Sequence, residues 1–265
     1  MNTPKQVAEN YLSIAQAKAN LPALKTLVLG IFAGMFIAFA AVGSAAAAAT
    51  VKTASIAKFV TASIFPAGLA MVLVSGSELF TGNCLLFLPL AARKIRLSGM
   101  LKNWMFVYLG NLIGSVLVAF LCAYGGVFSL FGGEFAAAVV NTASAKAALS
   151  FTDAFVKGIL CNFLVCIAVW MSFASRSAGG KVVALFFPIL LFVVSGFEHS
   201  VANMYYIPAG LFAKCVYPAL AEGQEVLTWT NFFFANLVPV TLGNIAGGGA
   251  VAMGYWFSYL KGEKI

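Results

Sequence analysis

FPAGLAMVLVSGSELFTGN (residues 65–83) and FPILLFVVSGFEHSVAN (residues 187–203) are two versions of one segment. Each opens on Phe-Pro, at Phe65-Pro66 and Phe187-Pro188, and crosses an apolar run. Each then reaches Ser-Gly-x-Glu, as Ser75-Gly76-Ser77-Glu78 and Ser195-Gly196-Phe197-Glu198. The chain's single histidine, His199, follows directly on the second glutamate. A carboxylate and an imidazole are costly to place in surroundings this apolar, so they mark a transport pathway or proton relay.

Around these segments the composition is that of a membrane protein. Apolar residues make up 62% of the chain and charged residues 9%, and the mean hydropathy is +0.97, outside the range of soluble domains. Charge-free runs cover 26–51, 59–77, 79–92, 103–133, 158–175, 182–197, 199–213 and 226–260. A crossing takes roughly 20 apolar residues in a helix. Joining the shorter runs across Glu78 and Glu198 gives six transmembrane helices, an all-α integral membrane fold.

The duplication extends beyond the two quoted segments. Leu109-Gly110-Asn111 in span three recurs as Leu242-Gly243-Asn244 in span six. The offsets are 120 for the first pair of segments and 133 for the second, so the unit is three spans long. An odd number of spans makes the second unit enter from the opposite side, giving two inverted three-helix repeats with a site near the midplane. The expected divisions are an amphipathic N-terminal cytoplasmic helix over 1–22, a first repeat over 23–133, an extracytoplasmic loop over 134–152, and a second repeat with a short tail over 153–265. Within the first of these, Val7, Tyr11 and Ile14 fall at helical spacing, which suits a helix lying at the inner surface.

Helices 2 and 5 are expected to be broken, since a proline near the start and a glycine before the glutamate both weaken a helix. Non-helical backbone at membrane depth survives only where it is buried in protein or lines a cavity. Glu78, Glu198, Asn83 and Asn203 are therefore read as structural groups at the breaks, the glutamates accepting freed backbone N–H groups. The half-helix N-termini favour an anion there. Gly30 and Gly34, Gly110 and Gly114, and Gly243 with Gly247 allow close helix packing.

The net charge of +8 is read by position. With both termini cytoplasmic, eleven lysines and arginines fall on inner segments and only Lys52, Lys58, Lys146 and Lys214 on outer ones. That is the positive-inside bias of a multi-pass cell-membrane protein, and nucleic-acid binding would need a soluble basic face. The start of the chain lacks the features of a removable signal peptide. The five cysteines (Cys84, Cys122, Cys161, Cys166, Cys215) have no metal-site spacing and read as small buried hydrophobes. Without a cofactor motif, metal cluster or nucleophile–base pair, no metal, cofactor or enzyme is expected.

Four segments resemble the signatures of the formate/nitrite transporter family. They are 65–83 in helix 2, Lys157-Gly158-Ile159-Leu160-Cys161-Asn162-Phe163-Leu164-Val165-Cys166 in helix 4, 195–204 in helix 5, and Pro239-Val240-Thr241-Leu242-Gly243-Asn244-Ile245 in helix 6. The similarity spans essentially the whole chain. It implies a homopentamer of aquaporin-like protomers in the inner membrane, each with its own pore. It also implies a substrate pathway of His199, Thr81, Asn162 and Lys146, with hydrophobic slits at Phe65, Leu69, Leu79 and Phe192. No role is assigned to Lys157.

The expected function is passage of small monovalent weak-acid anions, formate first, with nitrite or hydrosulfide as alternatives. A bare charge in an apolar constriction is expensive, so passage as the neutral or proton-paired acid is expected, pH-dependent and centred on His199. A neutral-solute channel of the aquaporin or ammonium type is the reading from another class. It is disfavoured because Asn-Pro-Ala is absent and one histidine cannot form a pair. Whether residues 1–20 gate the pore is left open by the sequence.

Overall fold

A computed structural model describes residues 1–263, all helices and connections. Helix α1 (Pro4–Asn20) starts from a capping box. The Thr3 hydroxyl accepts from the Gln6 N–H (3.3 Å) and the Gln6 side chain accepts from the Thr3 N–H (2.9 Å), with Pro4 in the first turn. Then come α2 (Ala23–Ala48), α3 (Ala54–Ile64), α4 (Pro66–Ser75), the short α5 (Phe80–Asn83) and α6 (Phe87–Ala91), and α7 (Leu97–Tyr124). The second half holds α8 (Glu134–Ala147), α9 (Phe151–Ala174), α10 (Ala178–Val194), α11 (Ser200–Val216), and a π-helical turn leading into α12 (Val238–Tyr259).

The breaks come from glycine rather than proline. Phe65 keeps right-handed helical dihedrals (φ −55°, ψ −31°), so α3 and α4 run on through Pro66, and Pro188 lies inside α10. The chain leaves the helix at Gly76 (φ +82°) and Gly196 (φ +71°), a conformation only glycine adopts without strain. Four residues then separate α4 from α5, and five separate α10 from α11.

By length and hydropathy six helical stretches among the described residues are long enough to cross a bilayer, among them Val127–Ala147. That one is kinked at Leu130, Phe131 and Gly132, which leaves α8 with 14 residues, about 21 Å at 1.5 Å per residue. The interrupted pair α10 and α11 makes the fifth crossing instead. The segment expected as a loop over 134–152 is thus mostly helix, packed against α11. The helix expected to lie on the inner surface is likewise part of the bundle: α1 buries Val7, Ala8, Tyr11, Leu12 and Ala15 against α6, α7, α9 and α12.

A glycine-faced helix pair holds each half together. Gly30 and Gly34 on α2 meet Gly110 and Gly114 on α7, and Gly158 on α9 meets Gly243 on α12. At Gly110 a Cβ would lie 2.5 Å from the Leu27 carbonyl oxygen and 2.9 Å from the Gly30 Cα. Backbone contact this close maximises dispersion and needs no polar side chain in the apolar region. Lys5 pairs with Glu263 at 3.0 Å, so both ends of the described chain lie on one face.

Candidate functional site

At each break the freed backbone groups are collected by one asparagine. The Asn111 side-chain oxygen accepts from the Phe80 N–H (2.9 Å), and its amide donates to the Gly30 and Glu78 carbonyls (2.8 and 2.9 Å). Asn244 repeats this with the Ser200 N–H (2.9 Å) and the carbonyls of Gly158 and Glu198 (2.8 and 3.0 Å). Buried backbone at membrane depth must find such partners. The glutamates do something else than expected. Their carboxylates accept from lysine and asparagine side chains, Glu78 from Lys18 (2.7 Å) and Asn83 (2.6 Å) and Glu198 from Lys146 (2.8 and 2.9 Å) and Asn203 (2.7 Å). Asn83 donates onward to Asn103, and Asn203 to Asn236.

These paired networks reveal a longer repeat. Lys18 on α1 and Lys146 on α8 are equivalents, and Ala-x-Ala-Lys-Ala at 15–19 and 143–147 is the sequence signal that marks them. Each three-helix unit is therefore preceded by a short helix carrying a lysine to the break.

At the centre the two halves differ. His199 caps α11 where Leu79 precedes α5, with near-identical dihedrals (φ −106°, ψ 116° and φ −109°, ψ 125°). His199 Nδ1 accepts from the Ala202 N–H at 3.0 Å. The proton of a neutral ring therefore sits on Nε2, which lies 2.8 Å from the Thr81 hydroxyl oxygen and donates to it. The Thr81 carbonyl in turn accepts from the Asn162 amide (3.1 Å), which also donates to the Asn244 carbonyl (2.7 Å).

Three cavities lie in series. An open vestibule of about 380 Å³ is lined by Lys58, Lys146, Phe65, Phe192 and His199. Phe65 and Phe192 meet edge to face at 5.8 Å and separate it from a chamber of about 10 Å³, walled by Ile37, Phe65, Leu69, Leu79, Val165, Ile189, Phe192 and His199. Leu69 and Leu79 then border a third cavity of about 30 Å³, which also touches Tyr11 and Lys18 of α1. Tyr11 packs on Phe173 at 5.6 Å, and burial pushes its phenol well above its usual range.

A profile of the formate/nitrite transporter family matches residues 5–257. The chain is 39% identical to the probable formate transporter of Methanothermobacter thermautotrophicus, over 98% of this chain and 97% of that protein. It is 38% identical to the formate channel FocA of Escherichia coli K12, over 92% and 90%. The chain belongs to the formate/nitrite transporter family. A solved pentameric formate channel with formate bound superposes with a TM-score of 0.81 at 37% identity, covering 90% of this chain and 98% of that one. An ion channel of the same family gives 0.81 at 32%, covering 96% and 98%. The protein is accordingly a membrane transport protein of the family and not an enzyme, and its six spans with broken helices 2 and 5 are the family fold.

Within this family fold the sequence-derived site residues divide by position. His199, Phe65, Leu69, Leu79, Phe192 and Lys146 line the cavities. Thr81 and Asn162 line none of the three and reach them only through the His199 ring and the Thr81 carbonyl. Asn83, with Lys18, borders the third cavity, and Asn203 the vestibule. Lys58 also belongs to the vestibule, although its position before the apolar run reads as a loop charge. Lys157 contributes its carbonyl to the Glu198 N–H (3.2 Å). Among the described residues no group of three His, Cys, Asp or Glu is placed to hold a metal ion.

Proposed function

We propose that this protein is a channel for small monovalent weak-acid anions, formate foremost, assembled as a homopentamer with a pore in each protomer. One observation carries the reading. Of the eight residues walling the central chamber, His199 alone is polar, and it stands where the vestibule ends. The relatives, a probable formate transporter and a formate channel, support the choice of substrate, and the pentameric neighbour supports the assembly.

In this reading Lys58 and Lys146 draw the anion into the vestibule. The Phe65–Phe192 and Leu69–Leu79 pairs are the two slits. A charge there loses its hydration with nothing in return, so the substrate crosses in neutral or proton-paired form, with His199 as proton donor or electrostatic partner. Thr81 and Asn162 hold the ring. A second proton on the ring must enter at Nδ1 and displace the Ala202 N–H, which couples protonation to the cap of α11. The excess of lysine and arginine on the α1 face supports a cytoplasmic position for both termini.

The test is uptake of formate, nitrite and hydrosulfide into proteoliposomes across an imposed pH gradient, wild type beside His199→Ala. Formate uptake that outpaces the other two and loses its pH dependence in the variant is the expected result. Uptake with the same pH response in both proteins would overturn the central role of His199.

A further inference from the structure

On the α1 face, away from the pore, a cavity of about 600 Å³ is lined by Arg93, Lys94, Arg96 and Lys102, and none of its lining residues is acidic. It lies between the end of α1, the turn after α6 and the start of α7. Three further observations bear on it. Lys102 reaches across to the Leu21 carbonyl (3.0 Å) and the Gln16 amide to the Lys94 carbonyl (3.2 Å), so two clasps hold its walls. Helix α7 begins here with no side-chain cap and no acidic residue in its first turn, which leaves its positive end facing the same space. Arg93 holds a left-handed backbone (φ +57°), where glycine would be unstrained, so this turn keeps a guanidinium at the expense of backbone comfort.

We infer that this cavity is a binding site for a phosphate-bearing anion, specifically the headgroup of an anionic phospholipid of the surrounding leaflet. Guanidinium groups bind phosphate oxygens bidentately, and basic pockets at the ends of membrane helices hold anionic headgroups. The lipid is preferred over free phosphate because of what adjoins the pocket. Leu97, Leu101, Met105 and Leu109 follow it up α7 at four-residue spacing and are 53, 50, 59 and 45% exposed in the protomer. A headgroup in the cavity would lay its acyl chain along that stripe.

The experiment uses the full-length protein, delipidated in detergent, and reads bound lipid by native mass spectrometry and stability by thermal shift. The probes are phosphatidylglycerol, phosphatidylcholine and inorganic phosphate. Phosphatidylglycerol is expected to bind and stabilise the wild type, and phosphatidylcholine not. The combined variant R93G/K94Q/R96Q should lower the phosphatidylglycerol affinity about a hundredfold, the strength of three cations at an anionic surface. Arg93→Gly alone should weaken it about fivefold while leaving the lipid-free protein at least as stable, because the turn is relieved. That separates lost binding from lost folding. R176Q/K181Q, which removes charges outside the pocket, should leave binding intact. Equal weakening by that pair would reduce the effect to general surface charge and overturn the site. Stabilisation by inorganic phosphate alone, with none added by phosphatidylglycerol, would overturn the lipid assignment.

Discussion

His199 and Leu79 occupy the same place in the two halves, and so do Val201 and Thr81. The His199–Thr81 bond therefore exists because the duplication has diverged at its centre on both sides at once. Valine at 81 has a steric precedent in Val201, so Thr81→Val should fold. It leaves the Nε2–H without its acceptor, a loss of about 1–3 kcal/mol for a buried donor, and should alter the pH profile of formate flux between pH 5 and 8 in proteoliposomes. An unchanged profile would mean that the ring needs no anchor at 81. Lys146 and Glu198, 17 and 7% exposed, form a pair of another kind. Lys146→Gln strands a buried carboxylate and should cost about 3–5 kcal/mol, with much of it recovered in K146Q/E198Q. Thermal inactivation in detergent should rank wild type and the double variant above the single one. Lys52→Gln, from a pair 85 and 52% exposed, should change little.

At the scale of the helix, glycine has two separate uses. Gly76 and Gly196 end helices, and Gly30, Gly34, Gly110 and Gly114 let α2 and α7 touch backbone to backbone. A methyl at 110 meets only main-chain atoms, so the helices must part. Gly110→Ala should destabilise by about 1–3 kcal/mol or more, while Gly43→Ala, which meets nothing within 4 Å, should stabilise by about 0.4–1 kcal/mol. The order of the two melting temperatures checks this. The helix count, the break positions and the membrane class were legible in the sequence, because a charge-free run of helical length has one economical solution. Of the two helix-weakening residues expected at each break, only the glycine makes it: the helix absorbs the proline at 66, whereas the left-handed turn at Gly76 ends it. The glutamates' partners were not legible either, since they come from α1 and α8, 60 and 52 residues away.

Across the whole molecule the twofold relation of the halves is kept in the lysine–glutamate–asparagine networks at the breaks and broken in its openness. The α8 side holds the vestibule of about 380 Å³, and the α1 side a cavity of about 30 Å³ covered by Tyr11 and Lys18. Two equivalent helices carrying equivalent lysines thus leave one mouth open and the other shut. The difference is that α1 brings the large Tyr11 against Phe173, whereas alanines line much of the other mouth. A repeat read from helices alone predicts no such asymmetry, because it lies in side-chain volume around the two mouths. It can be measured with thiols. In a Cys215→Ser background, where the remaining cysteines are buried, Thr142→Cys should react rapidly with an impermeant thiol reagent applied from the α8 side. Leu73→Cys, which borders the third cavity, should resist the reagent applied from the α1 side. Deleting residues 1–20 should expose it, raising its rate toward that of Thr142→Cys. Equal rates at Leu73→Cys with and without those residues would mean that α1 does not close the mouth, and the closure would then have to lie in the Leu69–Leu79 slit.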